Sequence, residues 1–224
     1  MTNIIKLHDE QTSNSLEPQF NTFDVEPRPV YNYMGLDAEG KPSYEEVKTH
    51  FQMWDTTNDR PIPKCINGTK HLGTAYHELL EPLNEGLVSA NLDKGCLVKD
   101  AIYDGGAKFV RKISYPNITI EPNTRKEGDI IRFEIVFRSS LDGSWVHSLQ
   151  ILPIRLLCSN GMVGVDSNYK LIFNFKHTTG FNPSVIRDKV LIGQESFQEM
   201  KPWFESLSNA EVTTDDVKSL LKQT

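Results

Sequence analysis

Cys158 and His177 are the residues whose types could carry out nucleophilic chemistry. A cysteine attacks as a thiolate, and a neighbouring imidazole allows that thiolate to form at neutral pH. Cys158 ends the apolar run IRLLC, where a free cysteine is usually buried. The sequence has no Gly-rich oxyanion loop and no evident third residue to orient the histidine. We predict no catalytic site, and a hydrolase built on this pair is the weakest of three hypotheses.

Metal and phosphate motifs are also absent from the sequence. The three cysteines, Cys65, Cys96 and Cys158, show no CxxC or other paired ligand spacing. His71 and His77 are six residues apart, which would place them on different faces of a helix. There is no GxxxxGK[ST] loop and no GxGxxG after a strand. We predict neither a bound metal nor a cofactor.

The centre of the chain combines cations with aromatic residues, which is typical of proteins that bind single strands. Cations pair with phosphates while aromatic faces stack on bases of any sequence. The alternative is an ordinary solvated sheet, with the phenylalanines in its core. The predicted phosphate contacts are Arg111, Lys112, Arg132, Arg138, Arg155, Lys170 and Lys176, with His177 as a polar member of the same surface. The predicted stacking residues are Tyr115, Trp145 and Tyr169.

Charge is divided along the 224 residues, although the total is −6. Residues 105–187 hold eleven Lys and Arg against six Asp and Glu, a net charge of +5. Residues 1–60 hold five against eleven, a net charge of −6, and residues 188–224 have a net charge of −3. A basic centre therefore lies between acidic ends, which either solubilise the protein or bind a partner.

The elements that must position these residues follow from periodicity. Residues 1–42 contain four prolines and predict a mostly irregular acidic arm. Ser43 and Glu46 form a capping-box pattern that predicts a short helix. A second helix is expected from about Thr74, and Pro82 should kink or split it.

From Gly95 the period changes to that of strands, separated by turns such as DGG, EGD and LDGS. In DIIRFEIVFR the odd-numbered residues, from Ile131 to Phe137, should face the core. Helical texture returns after Asn182 or Ser184, with a last helix capped by Thr213 or Thr214. The predicted fold is α+β, with a central antiparallel meander sheet flanked by N-terminal and C-terminal helices. We expect an arm (1–42), an α+β core domain (43–194) and an acidic helical segment (195–224).

The runs GGAKFVRKISYP, GDIIRFEIVFRSSLDGS, LPIRLLCSNGM and FKHT, within residues 100–190, resemble the motif order of the family called domain of unknown function 932, also described as phage/plasmid-like proteins. Two departures are the Gly-rich stretch after the cysteine and Lys176, where an arginine is usual. The resemblance implies a setting in mobile elements and DNA metabolism rather than a chemistry. It is carried by Ser140, Asp142, Gly143, Ser144, Pro153, Arg155, Cys158, Asn160, His177 and Thr178.

These patterns lead to one hypothesis of function and one alternative. We expect a homo-oligomeric protein that binds single-stranded DNA and anneals complementary strands without nucleotide hydrolysis. The alternative is an interaction protein that binds a host or replication protein through its acidic arms. No stretch is apolar enough to span a membrane, and an odd cysteine set fits a reducing compartment. We expect the cytoplasm of an infected or host bacterial cell.

Overall fold

The computed structural model describes residues 15–17, 23–71, 73–120, 130–156, 163–165, 170–178 and 180–209. In these residues the chain is α+β, as predicted, with two antiparallel sheets and two α-helices. The helices are α1 (Tyr76–Ser89) and α2 (Val185–Asn209), with a 3₁₀ turn at Asp104–Gly106. The strands are β1 (Val25–Leu36), β2 (Pro42–Asp55), β3 (Arg60–Gly68), β4 (Leu97–Tyr103), β5 (Lys108–Ile120), β6 (Ile131–Ser140), β7 (His147–Leu156), β8 (Val163–Val165) and β9 (Leu171–Phe175).

The larger sheet has six strands and is the predicted antiparallel meander. Its order is β4-β5-β6-β7, and both β8 and β9 pair with β7. Ile131, Phe133, Ile135 and Phe137 of β6 are buried, whereas Arg132 is exposed. The predicted alternation is confirmed, because successive side chains of a strand point to opposite faces.

Helices α1 and α2 cover the apolar face of this sheet. Tyr76 of α1 lies against Phe109, with ring centroids 5.1 Å apart, and Phe197 of α2 lies 4.6 Å from Phe133. The helices contact each other at Gly86, where an added Cβ would come within 3.0 Å of the Arg187 carbonyl oxygen. Neither helix combines the length and apolar character needed to cross a membrane.

A charged pair, Arg111 and Asp100, lies inside this core with side chains 0% and 1% exposed. Nε and Nη2 of Arg111 donate to the two carboxylate oxygens of Asp100, each at 2.8 Å. Nη1 donates to the Leu16 carbonyl oxygen at 2.9 Å and to Asn84 Oδ1 at 3.3 Å. The guanidinium therefore links β4, β5, α1 and residues 15–17.

The N-terminal third differs from prediction. Residues 43–54 lie in β2 and are not helical, and residues 25–36, expected to be irregular, form β1. The aromatic and β-branched residues of β2 suit a strand, and pairing with both β1 and β3 decides against the helical spacing. Pro27 and Pro29 are accommodated because β1 is an edge strand with a register shift between Pro29 and Tyr31.

The helices also correct two boundaries. Pro82 does not split α1, which is continuous from Tyr76 to Ser89. Helix α2 crosses the expected boundary at residue 195, and Phe197 and Met200 are buried in the core. Residues 195–209 are therefore part of the core and not a separate segment. The helix expected after Thr213 or Thr214 lies outside the described residues.

The buried pair yields a stability prediction. Asp100→Asn should lower the free energy of unfolding by about 3–5 kcal/mol, because the guanidinium stays buried without a charged partner. Asp100→Leu combined with Arg111→Met should cost less than Asp100→Asn, since no charge is then left in the core. Urea unfolding followed by circular dichroism measures both, with Lys99→Gln on the exposed side of β4 as the control. A loss below about 1 kcal/mol for Asp100→Asn would contradict the assignment.

Candidate nucleic-acid interface

The second face of the six-stranded sheet carries cations and has no helix over it in the described part of the chain. The register places Lys99 beside Lys112, and Arg138 beside Val110. Lys99, Lys112 and Arg132 are exposed, and Arg138 is half-buried. We call this surface the open sheet face, and we define it by Leu97, Lys99, Tyr103, Lys112, Arg132, Glu134, Arg138, Trp145, Gln150 and Ile172.

Lys112 is tied to the one acidic member of the open sheet face as defined. Its Nζ lies 2.7 Å from Glu134 Oε2, and the two side chains are 46% and 10% exposed. The Ser114 hydroxyl donates to the same oxygen at 3.0 Å. Removing Lys112 would leave a poorly solvated carboxylate, so a test of binding needs other cations.

Trp145 forms an aromatic cluster with cations at one end of the face. Lys108 Nζ lies 5.4 Å from its ring centroid, and the Arg138 guanidinium carbon lies 5.8 Å away. Tyr103, which is 47% exposed, contacts Trp145 edge to face, with centroids 6.4 Å apart. Cations within about 6 Å of an indole are attracted to its ring face. The cluster therefore places a π surface beside positive charge.

The turn between β6 and β7 holds Trp145 in place. Gly143 has φ +70°, a conformation that favours glycine, and Asp142 Oδ1 accepts from the Ser144 backbone N–H at 2.9 Å and from its hydroxyl at 2.6 Å. The Trp145 backbone N–H donates to Ser140 Oγ at 3.0 Å, and the Ser140 hydroxyl donates to the Trp145 carbonyl oxygen at 3.1 Å. The turn predicted at LDGS, residues 141–144, is confirmed.

Two of the residues expected on the binding surface lie in the core. Arg111 is paired with Asp100, and Tyr115 is 1% exposed with its ring 5.3 Å from Phe133. Burial raises the pKa of the Tyr115 hydroxyl. In strand β5 these residues alternate with Lys112 and therefore point to the opposite face. The prediction of both as contacts is wrong, because neither side chain reaches the surface.

Of the remaining predicted contacts, some are exposed and others lie outside the described residues. Lys170 precedes β9 and Lys176 follows it, and both are exposed. The side chain of Arg155 and the whole of Tyr169 lie outside the described residues. The role in binding of the exposed residues remains a prediction.

His177 is not on the open sheet face but in a stack of rings that joins three segments. Its centroid lies 3.7 Å from that of His147, at the start of β7, and 4.7 Å from that of His71, which follows β3. Phe181 also stacks on His147, with ring centroids 4.8 Å apart. His71 also forms a β-bridge with Thr178. The stack therefore attaches the smaller sheet to the edge of the larger one.

Each imidazole in the stack has one nitrogen that is held and one that is not. His147 Nδ1 lies 2.8 Å from Ser139 Oγ, and His177 Nε2 donates to the Trp145 carbonyl oxygen at 2.6 Å. His71 Nε2, His147 Nε2 and His177 Nδ1 are buried without a hydrogen-bond partner among the described residues. In the part of the chain that the structure describes, no three His, Cys, Asp or Glu side chains are arranged to hold a metal ion.

Burial lowers the pKa of all three imidazoles. The pKa of His147 falls to about 3, because burial is reinforced by the neighbouring His177 and His71. Burial also lowers the pKa of His71 and of His177. In each case a hydrogen bond to a backbone carbonyl, that of Leu141 for His71 and that of Trp145 for His177, raises the pKa but does not offset burial. The stack is therefore neutral near pH 7.

The described cysteines are buried, and the charged residues that line a groove on the helix side are mainly acids. Cys65 and Cys96 are buried, and burial raises the pKa of Cys65 to about 12, so it is not a nucleophile. Cys158 lies outside the described residues, and its pairing with His177 remains a hypothesis. A groove of about 760 Å³ lies on the helix side, and its acids would repel phosphates. Its charged lining residues are Glu17, Glu81, Glu85 and Arg187.

Comparison with known families finds a family model that covers most of the larger sheet. The family model described as Domain of unknown function (DUF932) matches residues 102–224, which is more than half of the chain. The chain belongs to the DUF932 family. The match confirms the resemblance drawn from the motifs. No curated protein and no solved structure matches the chain. The DUF932 region contains β5 to β9 and α2, whereas the smaller sheet and α1 precede it.

Sequence reasoning missed several members of the site. Alternation along LVKDAIY places Lys99 and Tyr103 on one side, but only the pairing of β4 with β5 aligns them with Lys112. His71 and His147 join His177 from distant positions, and their spacing in the DUF932 chain gives no signal of this. The alternation along β4 is a signal in the sequence that places Lys99 and Tyr103 on one face, whereas the histidine stack is visible only in the folded structure.

The histidine stack predicts a loss of stability on acidification. The folded state keeps these imidazoles neutral, whereas the unfolded chain protonates them below about pH 6.5. The unfolded state then binds more protons, so the free energy of unfolding falls with pH, by about 1.4 kcal/mol per pH unit for each such histidine. Urea midpoints measured between pH 7.5 and pH 5 test this. His71→Gln should reduce the slope.

The control for that experiment is Val88→Gln, which replaces an exposed side chain of α1 and removes no titratable group. It should leave the slope unchanged. Asp55 and Asp142 have lowered pKa values, owing to hydrogen bonds from their neighbours, and lose their stabilising effect only below about pH 4. They do not contribute within the chosen window. A midpoint that is constant from pH 7.5 to pH 5 would contradict a neutral stack.

Proposed function

We propose that the open sheet face binds single-stranded nucleic acid, and that the natural ligand is single-stranded DNA of a phage or mobile element. The observation that carries the proposal is the combination of four cations with Trp145 and Tyr103 on a sheet face that no helix covers in the described residues. Cations bind phosphates, and an exposed aromatic ring stacks on a base without regard to sequence.

The layout of the face suits an extended strand. The row from Lys99 through Lys112 to Ile172 crosses five neighbouring strands, a span of about 19 Å at roughly 4.8 Å per strand. Lys99, Lys112, Arg132 and Arg138 bind the phosphates, while Tyr103 and Trp145 stack on bases at one end. A strand held along a surface in this way keeps its other base edges available for pairing. Annealing of complementary strands therefore requires no nucleotide hydrolysis.

The setting that we propose is DNA replication or recombination in the cytoplasm of a bacterial cell that carries the element. Membership of the DUF932 family supports no particular activity. The alternative proposal is a protein that binds a host or replication partner. It is supported by the exposed aromatic side chains of β1 and β2, such as Tyr33 and Tyr44, which are 61% and 62% exposed.

Salt dependence distinguishes phosphate binding from protein binding. With four phosphate contacts, the slope of log K against log salt for a single strand should be about −3, which is a roughly 50-fold loss of affinity between about 50 and 200 mM salt. Fluorescence anisotropy of a labelled oligonucleotide, with the duplex of the same sequence as competitor, measures this. No binding at the lowest salt concentration would refute the proposal.

The variant for this test is Lys99→Gln with Arg132→Gln. Both residues are exposed, so their removal should weaken binding and reduce the slope by about 1.4. The matched control is Lys70→Gln with Lys94→Gln, which removes two exposed cations that lie outside the open sheet face. Equal effects of the two pairs would show non-specific attraction instead of a site.

Stacking gives a separate prediction at Tyr103. Tyr103→Ala should weaken single-strand binding by about 1–3 kcal/mol, or roughly 5- to 150-fold, because one base loses its aromatic contact. The salt slope should stay the same, since no charge is removed. The same titrations measure both quantities, and Trp203→Ala, at a similarly exposed aromatic residue in α2, is the control. A change in slope without a change in affinity would contradict a stacking role.

A further inference from the structure

Residues 30–49, the distal parts of β1 and β2 with their connecting turn, form a two-stranded ribbon that projects from the smaller sheet. Strand β3 pairs with β2 only between His50 and Asp55, so beyond that point each strand has a single neighbour. No residue of the ribbon is buried. Apart from a hydrogen bond at its base, from the Thr69 N–H to the Thr49 carbonyl oxygen at 3.3 Å, the ribbon shows no packing against the other described residues of its own chain.

The ribbon exposes five large apolar or aromatic side chains. Tyr33 and Tyr44 lie across from each other with centroids 5.8 Å apart. A two-stranded hairpin is at best marginally stable alone, and contiguous exposed apolar side chains mark interaction sites. The exposed side chains are Tyr31 at 55%, Tyr33 at 61%, Met34 at 59%, Leu36 at 65% and Tyr44 at 62%.

The turn of the ribbon is well formed. Asp37 Oδ1 accepts from the backbone N–H groups of Glu39 and Lys41 at 3.0 and 2.8 Å, and the Asp37 N–H donates to the Lys41 carbonyl oxygen at 2.8 Å. Gly40 has φ +75°, which suits glycine. The ribbon is thus a defined hairpin whose apolar side chains have no packing partner among the described residues outside the ribbon.

The charge of the ribbon is opposite in sign to that of the open sheet face. The ribbon contains two lysines and four acids, a net charge of −2: Asp37, Glu39, Lys41, Glu45, Glu46 and Lys48. The open sheet face has four cations and Glu134, a net charge of +3. That face also exposes apolar groups, Leu97 at 37% and Ile172 at 42%. The two surfaces are complementary in sign, and each offers apolar area to the other.

We propose that the ribbon of one copy of the chain docks on the open sheet face of a second copy. Each chain then provides two different surfaces, so the contact is heterologous and repeats into a ring or filament. The proposal shares the open sheet face with the proposed nucleic-acid site but does not depend on it. Because both ligands of that face are anionic, a single strand and a neighbouring ribbon compete for the same cations.

Light scattering after size exclusion tests the assembly. The wild-type chain should exceed its monomer mass of 25.5 kDa at about 50 mM salt and return towards it at about 500 mM, where charges are screened. The ribbon variant Tyr33→Ser, Met34→Ser, Leu36→Ser should stay monomeric and folded, because these side chains are exposed. Val88→Ser removes an equally exposed apolar side chain from α1 and should assemble like the wild type.

A mixing experiment identifies the two surfaces. The face variant Lys99→Glu, Arg132→Glu should also be monomeric alone. Mixed with the ribbon variant, it should give a species of twice the 25.5 kDa monomer mass that grows no further, since only one matched pair of surfaces remains. A wild-type chain that is monomeric at about 100 µM, a ribbon variant that assembles, or a mixture that stays monomeric would each overturn the proposal.

The ribbon variant also separates this proposal from the nucleic-acid proposal. It should lose self-assembly while binding a labelled single strand at least as tightly as the wild type, because a competitor has been removed. Assembly without any nucleic-acid binding would refute only the proposed function. Nucleic-acid binding by a wild-type chain that never assembles would refute only ribbon docking.

Discussion

The ion pair between Arg111 and Asp100 is the interaction on which the rest of the structure depends. It is fully buried, and its hydrogen bonds join β4, β5, α1 and residues 15–17. Burying two charges is costly unless their geometry and remaining hydrogen bonds are good, and here the contact is bidentate at 2.8 Å. Because strands alternate, the inward direction of Arg111 requires Lys112 to point outward. The pair thus determines which face of β5 is open.

A second constraint acts at the edge of the same sheet. Trp145 is held through its backbone by Ser140 and by His177, and its indole then lies beside Arg138. His177 in turn belongs to a stack that includes His71, from the segment after β3. The position of the aromatic cluster therefore depends on the docking of the smaller sheet. A change at His71, which is not a member of the open sheet face, would be transmitted to Trp145 through His177.

The strands and turns of the DUF932 region could be predicted from the sequence, because their signals are local. Alternation along β6 predicts the buried residues from Ile131 to Phe137, and the LDGS segment predicts the turn. The prediction of a helix at residues 43–54 was wrong. Val47, Phe51 and Trp54 fit a helical period, but this segment pairs with β1 and β3, and no local pattern reports that tertiary effect. The predictions of Arg111 and Tyr115 as surface contacts were wrong for the same reason, because their burial is also a tertiary effect.

Adjacent cations of the same strand show why charge count does not identify a site. Arg111 and Lys112 were equivalent in the sequence, yet one is buried and the other is 46% exposed. Breaking a buried pair costs about 3–5 kcal/mol, whereas an exposed pair contributes at most about 1 kcal/mol. Reversing the charge of Arg111 would therefore unfold much of the protein, and a loss of nucleic-acid binding would say nothing about contact. The net charge of +5 in residues 105–187 includes this structural arginine, so the positive charge available on the surface is smaller than the sequence suggests. What distinguishes the open sheet face is the placement of its cations beside Trp145 and Tyr103, and that placement follows from the register of β4, β5 and β6.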